Sequence, residues 1–532
     1  MRLHSLLFAS SCLAAIAAPA AALDEVKADD IAVTASPLNR AENETIIGVS
    51  VISREELKNR LENSIGETLR REPGISSTFF GPGASRPIIR GLGGDRISVL
   101  DSGIGSIDGS ATSPDHAVSV EPAMAEKIEI VRGAATLLYG SSAAGGVVNV
   151  FSGRIPRALP EGGADGALRI GKSTVDDGTE AAGGFDVSLG KAGKGGVVFH
   201  GEGFFRRADG YDIPGFAESQ ALRDSEPPPA PGDPVEEEAF GAVENSALET
   251  KGGAAGLSYV FDRGFFGFSA TGLDTNYGVP GGHEEDGPMG GEEEGGVTID
   301  LRQRRLDLDS EVDADFLLFE RARLRVGYAD YTHTEVEPSG EAGAVFGNEG
   351  IEGRLELVDK PVSLGSGEMK GAIGAQWRLR DYSAIGEEAF VPPTESSQYG
   401  VLALKELSLG ARRFELGGRY EATSHEAPDL AVARDFDAFS VSGGVGLTPA
   451  KGFFLGVTGF RTERASSVEE LFSDGPHLAA GSFEVGDPDL GIETARGVEA
   501  TATFDNDRFS IALNGFYTSC RDFIFEAETG LV

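Results

Sequence analysis

From about residue 165 onward, apolar and polar side chains alternate in repeated runs of about ten residues, and this pattern limits the fold more than any other feature. Phe414, Leu416, Tyr420 and Ala422 fall on one face of an extended segment, with Arg413, Glu415, Arg419 and Glu421 on the other. Phe439, Val441, Val445 and Leu447 alternate in the same way with Ser440, Ser442 and Thr448, as do Leu306 and Leu308 with Arg305, Asp307 and Asp309. The connections alternate as well. Short turns sit near 191–195, 262–264 and 449–452, and long polar loops near 207–250, 277–296, 384–396 and 464–494. Strands with one apolar and one polar face, short turns at one rim and long loops at the other, describe a transmembrane antiparallel β-barrel. A soluble all-β protein is the competing reading, because its strands alternate too.

An export signal separates the two. Residues 1–22 have the parts of a signal peptide: Arg2, an apolar stretch from Leu6 to Ile16, and the small residues Ala20, Ala21 and Ala22 at a cleavage site. The apolar stretch is too short for a membrane-spanning helix. After cleavage only Cys520 remains, so the mature chain can form no internal disulfide. A closed barrel supplies stability without one, since every strand is paired. The chain carries 46 basic and 85 acidic residues, a net charge of −39. Binding to nucleic acid through phosphates needs a basic surface, so that class is excluded, whereas cations would be attracted.

Residues 24 to about 153 have a different character, mixing helix and strand signals. Ser53-Arg54-Glu55-Glu56 and Ser64-Ile65-Gly66-Glu67 read as two capping boxes, and Pro73-Gly74 should stop the second helix. Ile97–Leu100, Lys127–Val131 and Val147–Val150 read as strands. The region is expected to be a compact α+β domain. Two motifs carry no chemistry in this setting. Residues 166–173 match the phosphate-binding loop by letter, but they alternate like a strand and are followed by a turn rather than a helix. Asp307, Asp309 and Glu311 hint at a calcium loop, but Val312 stands where that loop needs glycine. No catalytic constellation follows from spacing, so no enzyme is expected.

Several segments carry a resemblance. Ile31-Ala32-Val33-Thr34-Ala35 resembles a TonB box. Arg86-Pro87-Ile88-Ile89-Arg90-Gly91, Val99-Leu100-Asp101, the run from Glu129 to Gly140 and Gly145-Gly146-Val147-Val148-Asn149-Val150 are similar to the plug motifs of TonB-dependent outer-membrane receptors. The resemblance covers nearly the whole mature chain. It implies a signal peptide (1–22), a tail with the TonB box (23–40), a plug domain in the lumen (41–155) and a barrel (156–532). A full-length barrel of the family has 22 strands. About 15 strands can be counted between 166 and 523, an odd number, and the chain stops soon after a strand, so the closing strands are expected to be missing. The implied partners are outer-membrane lipid and TonB with its inner-membrane energising complex, with the receptor itself a monomer. A short extended segment such as 31–35 can add to a partner's sheet edge and transmit a pull.

A narrower resemblance is to the zinc-uptake receptors of that family. It rests on Gly103-Ile104-Gly105, Thr112-Ser113-Pro114-Asp115-His116-Ala117, Gly475-Pro476-His477-Leu478-Ala479 and the run Phe483 to Leu490. It implies that Asp115, His116, Glu335 and His477 hold the transported ion, a zinc ion, with Glu337 an alternative to Glu335. Imidazole and carboxylate together suit zinc. Adjacent residues of a regular strand point oppositely, so Asp115 and His116 can share an ion only on a turn, which Pro114 favours. The loop after Tyr277 has one histidine, His283, and is otherwise acidic, with Glu284, Glu285, Asp286, Glu292, Glu293 and Glu294 as a possible cation-attracting stretch. Two other readings stay open: a receptor for a siderophore or haem, and a passive porin-like or adhesive barrel. A passive pore would need neither plug nor TonB box.

Overall fold

The computed structural model describes residues 32–33, 37–38, 40–41, 45–191, 195–224, 239–280, 296–386, 389–477, 482–506 and 508–528. An N-terminal five-stranded sheet runs in the order Val49–Ser53, Lys127–Arg132, Gly146–Phe151, Ile97–Asp101 and Ile104–Gly105. The Gly146–Phe151 and Ile97–Asp101 strands are parallel, and the other pairs antiparallel. Ile128, Ile130, Val148 and Val150 of this sheet pack on Leu57, Ile65 and Leu69 of two short helices. This is ordinary water-soluble packing, driven by removal of apolar surface from water.

The two helices begin differently. Arg54–Leu57 opens on the expected capping box, with Ser53 and Glu56 bonding each other's backbone N–H. The second box does not form. Ser64 makes no side-chain cap to helix Ile65–Leu69, and its hydroxyl pairs with Ser85 instead. The Glu67 N–H donates to Ser85 Oγ at 3.1 Å, so the cap comes from a residue brought near by the tertiary fold.

Among the described residues a second sheet holds 16 strands, of which 15 follow one another in an unbroken antiparallel path. Among the described residues its edges are Ala164–Lys172 and Ser510–Arg521. Its polarity is inverted relative to a soluble protein. On strand Arg412–Ala427, Phe414 and Leu416 are 40% and 62% exposed, while Arg419 and Glu421 are 5% and 1% exposed. Leu306 is likewise exposed and Arg305 buried. Apolar side chains facing outward are stable only if the outside is lipid. The inward charges pair with residues two places away on the same face: Arg305 with Asp307 at 2.9 Å, Arg354 with Glu356 at 2.8 Å, and Arg419 with Glu421.

The N-terminal unit fills the lumen as a plug. Arg90 reaches barrel Glu499 at 2.6 Å, Arg96 reaches Glu493 at 2.5 Å, and barrel Arg206 reaches plug Glu121 at 3.0 Å. Gly133 explains one glycine of the plug motif: its φ is 65°, and a Cβ there would press on the Glu499 carboxylate. Residues 166–172 of the phosphate-loop pattern lie in strand Ala164–Lys172, and Asp307 to Glu311 lie in strand Thr298–Phe316.

Candidate metal centre

The site forms at the rim that carries the long loops, which in an outer-membrane barrel faces the cell exterior. The plug contributes a loop pinned by Asp108. The Asp108 carboxylate accepts hydrogen bonds from Ser110 N–H at 3.1 Å and Ser119 N–H at 2.8 Å, and Asn348 of the barrel bonds its carbonyl. Within the loop, His116 N–H donates to Ser113 C=O at 3.3 Å, which makes the segment through Pro114 a turn. The turn lets Asp115 and His116 point to the same place. Tyr277 clamps it from the barrel, donating to the Asp115 carbonyl and accepting from Ala117 N–H, both at 2.9 Å.

Strand Phe319–Val336 supplies Glu335, whose side chain points into the lumen near the strand's upper end. His477 ends the short strand Asp474–His477. That strand follows helix Val468–Phe472, which has its own capping box and sits on the wall through Val468, Leu471 and Phe472 against Ala427 and Phe436. The helix therefore fixes where a residue of a long loop can reach.

Asp115, His116, Glu335 and His477 come together: each offers one donor atom, and the four atoms lie within 4.8 Å of one another. His116 Nε2 is 2.9 Å from Glu335 Oε1 and 3.6 Å from Asp115 Oδ2, and His477 Nε2 is 3.4 Å from Asp115 Oδ1. In a tetrahedral zinc set with ligands at about 2.0–2.1 Å, donors stand about 3.3 Å apart, so little movement is needed. The carboxylate of Glu337, the alternative to Glu335, does not belong to this group. All four residues are buried, yet Asp115 Oδ2 and His477 Nε2 have no hydrogen-bond partner among the described residues. Buried polar atoms are almost always paired, so two orphans aimed at one point fit a cation.

The far side of three of the four donors is held. His116 Nδ1 lies 3.1 Å from the Gly109 carbonyl and His477 Nδ1 lies 2.8 Å from Glu484 Oε1, while the Ser113 hydroxyl donates to Asp115. Such contacts orient an imidazole so that its other nitrogen faces an ion. Burial would raise the Asp115 pKa, but the His116 charge and the contacts of His477 and Ser113 outweigh it and hold the carboxyl low. Burial would lower both histidines, but Asp115 and Glu335 beside His116 raise it, and Asp115 and Glu484 beside His477 push it up to about 10. Without an ion the two histidines act as the counter-charge of the carboxylates.

Aromatic rings close the surround. Phe346 stacks on His333 at 4.5 Å and Phe390 on His477 at 4.5 Å, and both phenylalanines are buried. His333, Glu484, Phe346 and Phe390 were not singled out from sequence. For His333 a signal existed: two positions before Glu335 on one strand, it must face the same way. Ala32–Val33 of the TonB-box segment pairs with Arg40–Ala41, while Ile31, Thr34 and Ala35 lie outside the described residues. His283, Glu284, Glu285, Asp286, Glu292, Glu293 and Glu294 also lie outside them.

Known proteins share both parts of this architecture. Residues 41–147 match the TonB-dependent receptor plug domain, and residues 247–531 match the TonB-dependent receptor-like β-barrel. A vitamin B12 transporter of Photobacterium profundum is 34% identical over 197 residues, which is 36% of this chain and 30% of that relative's length. Among solved structures, the FrpB iron transporter of Neisseria meningitidis aligns with a TM-score of 0.69 at 13% identity, covering 90% of this chain and 74% of that one. The copper transporter OprC aligns with a TM-score of 0.66 at 14% identity, covering 89% and 71%. At those identities the likeness is one of fold. With the plug model and a barrel model spanning more than half of its length, the chain belongs to the TonB-dependent receptor family of the outer membrane.

Proposed function

We propose that this receptor imports a bare divalent metal ion, zinc first among them, across the outer membrane under the drive of TonB. One observation carries the reading: two imidazoles and two carboxylates, all buried, converge within 4.8 Å. That spacing suits a single ion and leaves no room between the donors for an organic chelate. Two nitrogen and two oxygen ligands suit zinc, although related divalent metals accept the same set. The net charge of −39 favours arrival of any cation at the surface.

The donor set is divided between moving parts. Asp115 and His116 belong to the plug, Glu335 to the wall and His477 to a loop. An ion that bridges them is released when the plug is displaced, because no single part keeps more than two of the four donors. TonB, engaging residues 31–35 as an added strand, supplies the displacement. The receptor acts as a monomer, since plug, wall and loop of one chain provide all four donors.

Zinc titration calorimetry on the purified receptor tests this. Wild type should bind zinc tightly, and His116→Ala with His477→Ala should abolish tight binding. An unchanged isotherm in the double variant would remove the site. Deleting residues 31–35 should stop uptake by cells while leaving the isotherm intact.

A further inference from the structure

His333 is a buried histidine left over from that site. Its side chain is completely buried, and its Nε2 has no hydrogen-bond partner among the described residues. That atom lies 3.7 Å from Glu335 Oε1, on the same inward face of strand Phe319–Val336. Its other nitrogen, Nδ1, is 2.8 Å from the Tyr331 hydroxyl. The ring is held in place, stacked on Phe346 and edge-on to His116 at 4.2 Å. Tyr331 is also fixed: a Cβ on Gly109 would stand 3.1 Å from its ring. Tyr331, His333 and Glu335 thus form a row at alternate positions of one strand, ending at the ion site.

We infer that His333 is the positioning residue for Glu335, donating Nε2–H to its carboxylate when His116 turns to the metal. The inference rests on the proposed metal reading. The physical need is a change of partner. Without metal, the His116 Nε2 edge occupies Glu335 Oε1 at 2.9 Å. To bind an ion, His116 must offer the Nε2 lone pair, so it can no longer donate there. Its proton then sits on Nδ1, facing the Gly109 carbonyl. Glu335 loses one hydrogen bond inside a buried site, and a ligating carboxylate without a second hydrogen bond is poorly oriented. The His333 Nε2 edge stands next to it without a partner of its own. A Tyr331 hydroxyl donating to Nδ1 fixes the tautomer in which Nε2 carries the proton. That same tautomer stops His333 from ligating the ion itself, since a protonated nitrogen has no free lone pair.

The test is competitive zinc titration on full-length receptor carrying His333→Ala, His333→Gln, Tyr331→Phe, or His333→Ala with Tyr331→Phe. Loss of an outer contact of this kind weakens metal binding by about 10- to 100-fold, and that is the expected loss for His333→Ala. Glutamine places an N–H near the position of Nε2 and should restore most of the affinity. Tyr331→Phe should weaken binding less, and the double variant should be no weaker than His333→Ala, because the two act in series. Additive losses, or glutamine as damaging as alanine, would overturn the inference in favour of ligation or plain packing. Wild-type affinity in His333→Ala would overturn it too, while leaving the metal site standing. A wild type blind to zinc would bring down both.

Discussion

The plug and the barrel wall use the same strand periodicity with opposite results. In the plug sheet Ile128, Ile130, Val148 and Val150 are buried and stabilise by leaving water. In the wall Phe414, Leu416, Phe439 and Val441 point outward, and Arg305, Arg419 and Glu421 point inward. The difference teaches that burial in this molecule is set by which solvent each face meets, not by hydrophobicity alone. The plug is folded against water and then enclosed; the wall is folded against lipid and lined with charge. Where they touch, ion pairs such as Arg90–Glu499 and Arg96–Glu493 run beside small shared apolar clusters, such as plug Ile104 and Ile107 against wall Ala329.

Substitutions can break or sharpen this contrast. The largest effect is expected at the ionic seam. Glu499 is buried, and its removal strands Arg90 in the lumen, so Glu499→Ala should cost about 3–5 kcal/mol. Hydrogen exchange in strand Val49–Ser53 should then speed up, and unchanged protection there would show that the seam does not hold the plug. Next comes the lipid face. Leu416→Arg should destabilise the wall by about 2–4 kcal/mol if this position lies near the bilayer midplane. Urea unfolding in vesicles, followed by the fluorescence of Trp377, the one tryptophan of the chain, measures it. A neutral outcome would mean that this face does not meet lipid.

A smaller effect belongs to the meeting point of the two regions. His477 is held protonated at neutral pH in the metal-free protein, with a pKa pushed up to about 10, and His116 is raised as well. An ion must displace those protons, so zinc affinity should rise with pH, by about tenfold per unit for each proton released. The sign follows from the direction of the shifts: raised pKa values mean that protons compete better as pH falls. Heats of binding compared in buffers of different ionisation enthalpy count the protons, and a count of zero would contradict the charged state described for His477. The smallest effect is expected on the plug's wet surface. Arg54 and Glu126 are both 52% exposed, so Arg54→Ala should change stability by less than about 1 kcal/mol.

Much of the fold was legible in the residues themselves. The ten-residue alternation announced the wall, and the loop asymmetry announced its two rims. The Ser53 box and the strands Lys127–Arg132 and Gly146–Phe151 were readable because they depend on neighbours in the chain. The second capping box failed for a complementary reason: Ser85 reached the same helix start and took both partners. The candidate donors follow from a resemblance, which does not extend to His333 although it stands two residues from Glu335.

The order of amino acids by itself settled the period of each strand, the sign of each face, and the presence of acid and imidazole groups in loops and strand ends. Those properties are local, since a side chain's face follows from its parity along one strand. Only the tertiary structure decided that positions 115, 116, 335 and 477 share one small volume and that the His333 Nε2 faces Glu335 with no hydrogen-bond partner among the described residues. Such convergence depends on register across many strands and on how deeply the plug is seated, and neither is encoded in any single segment.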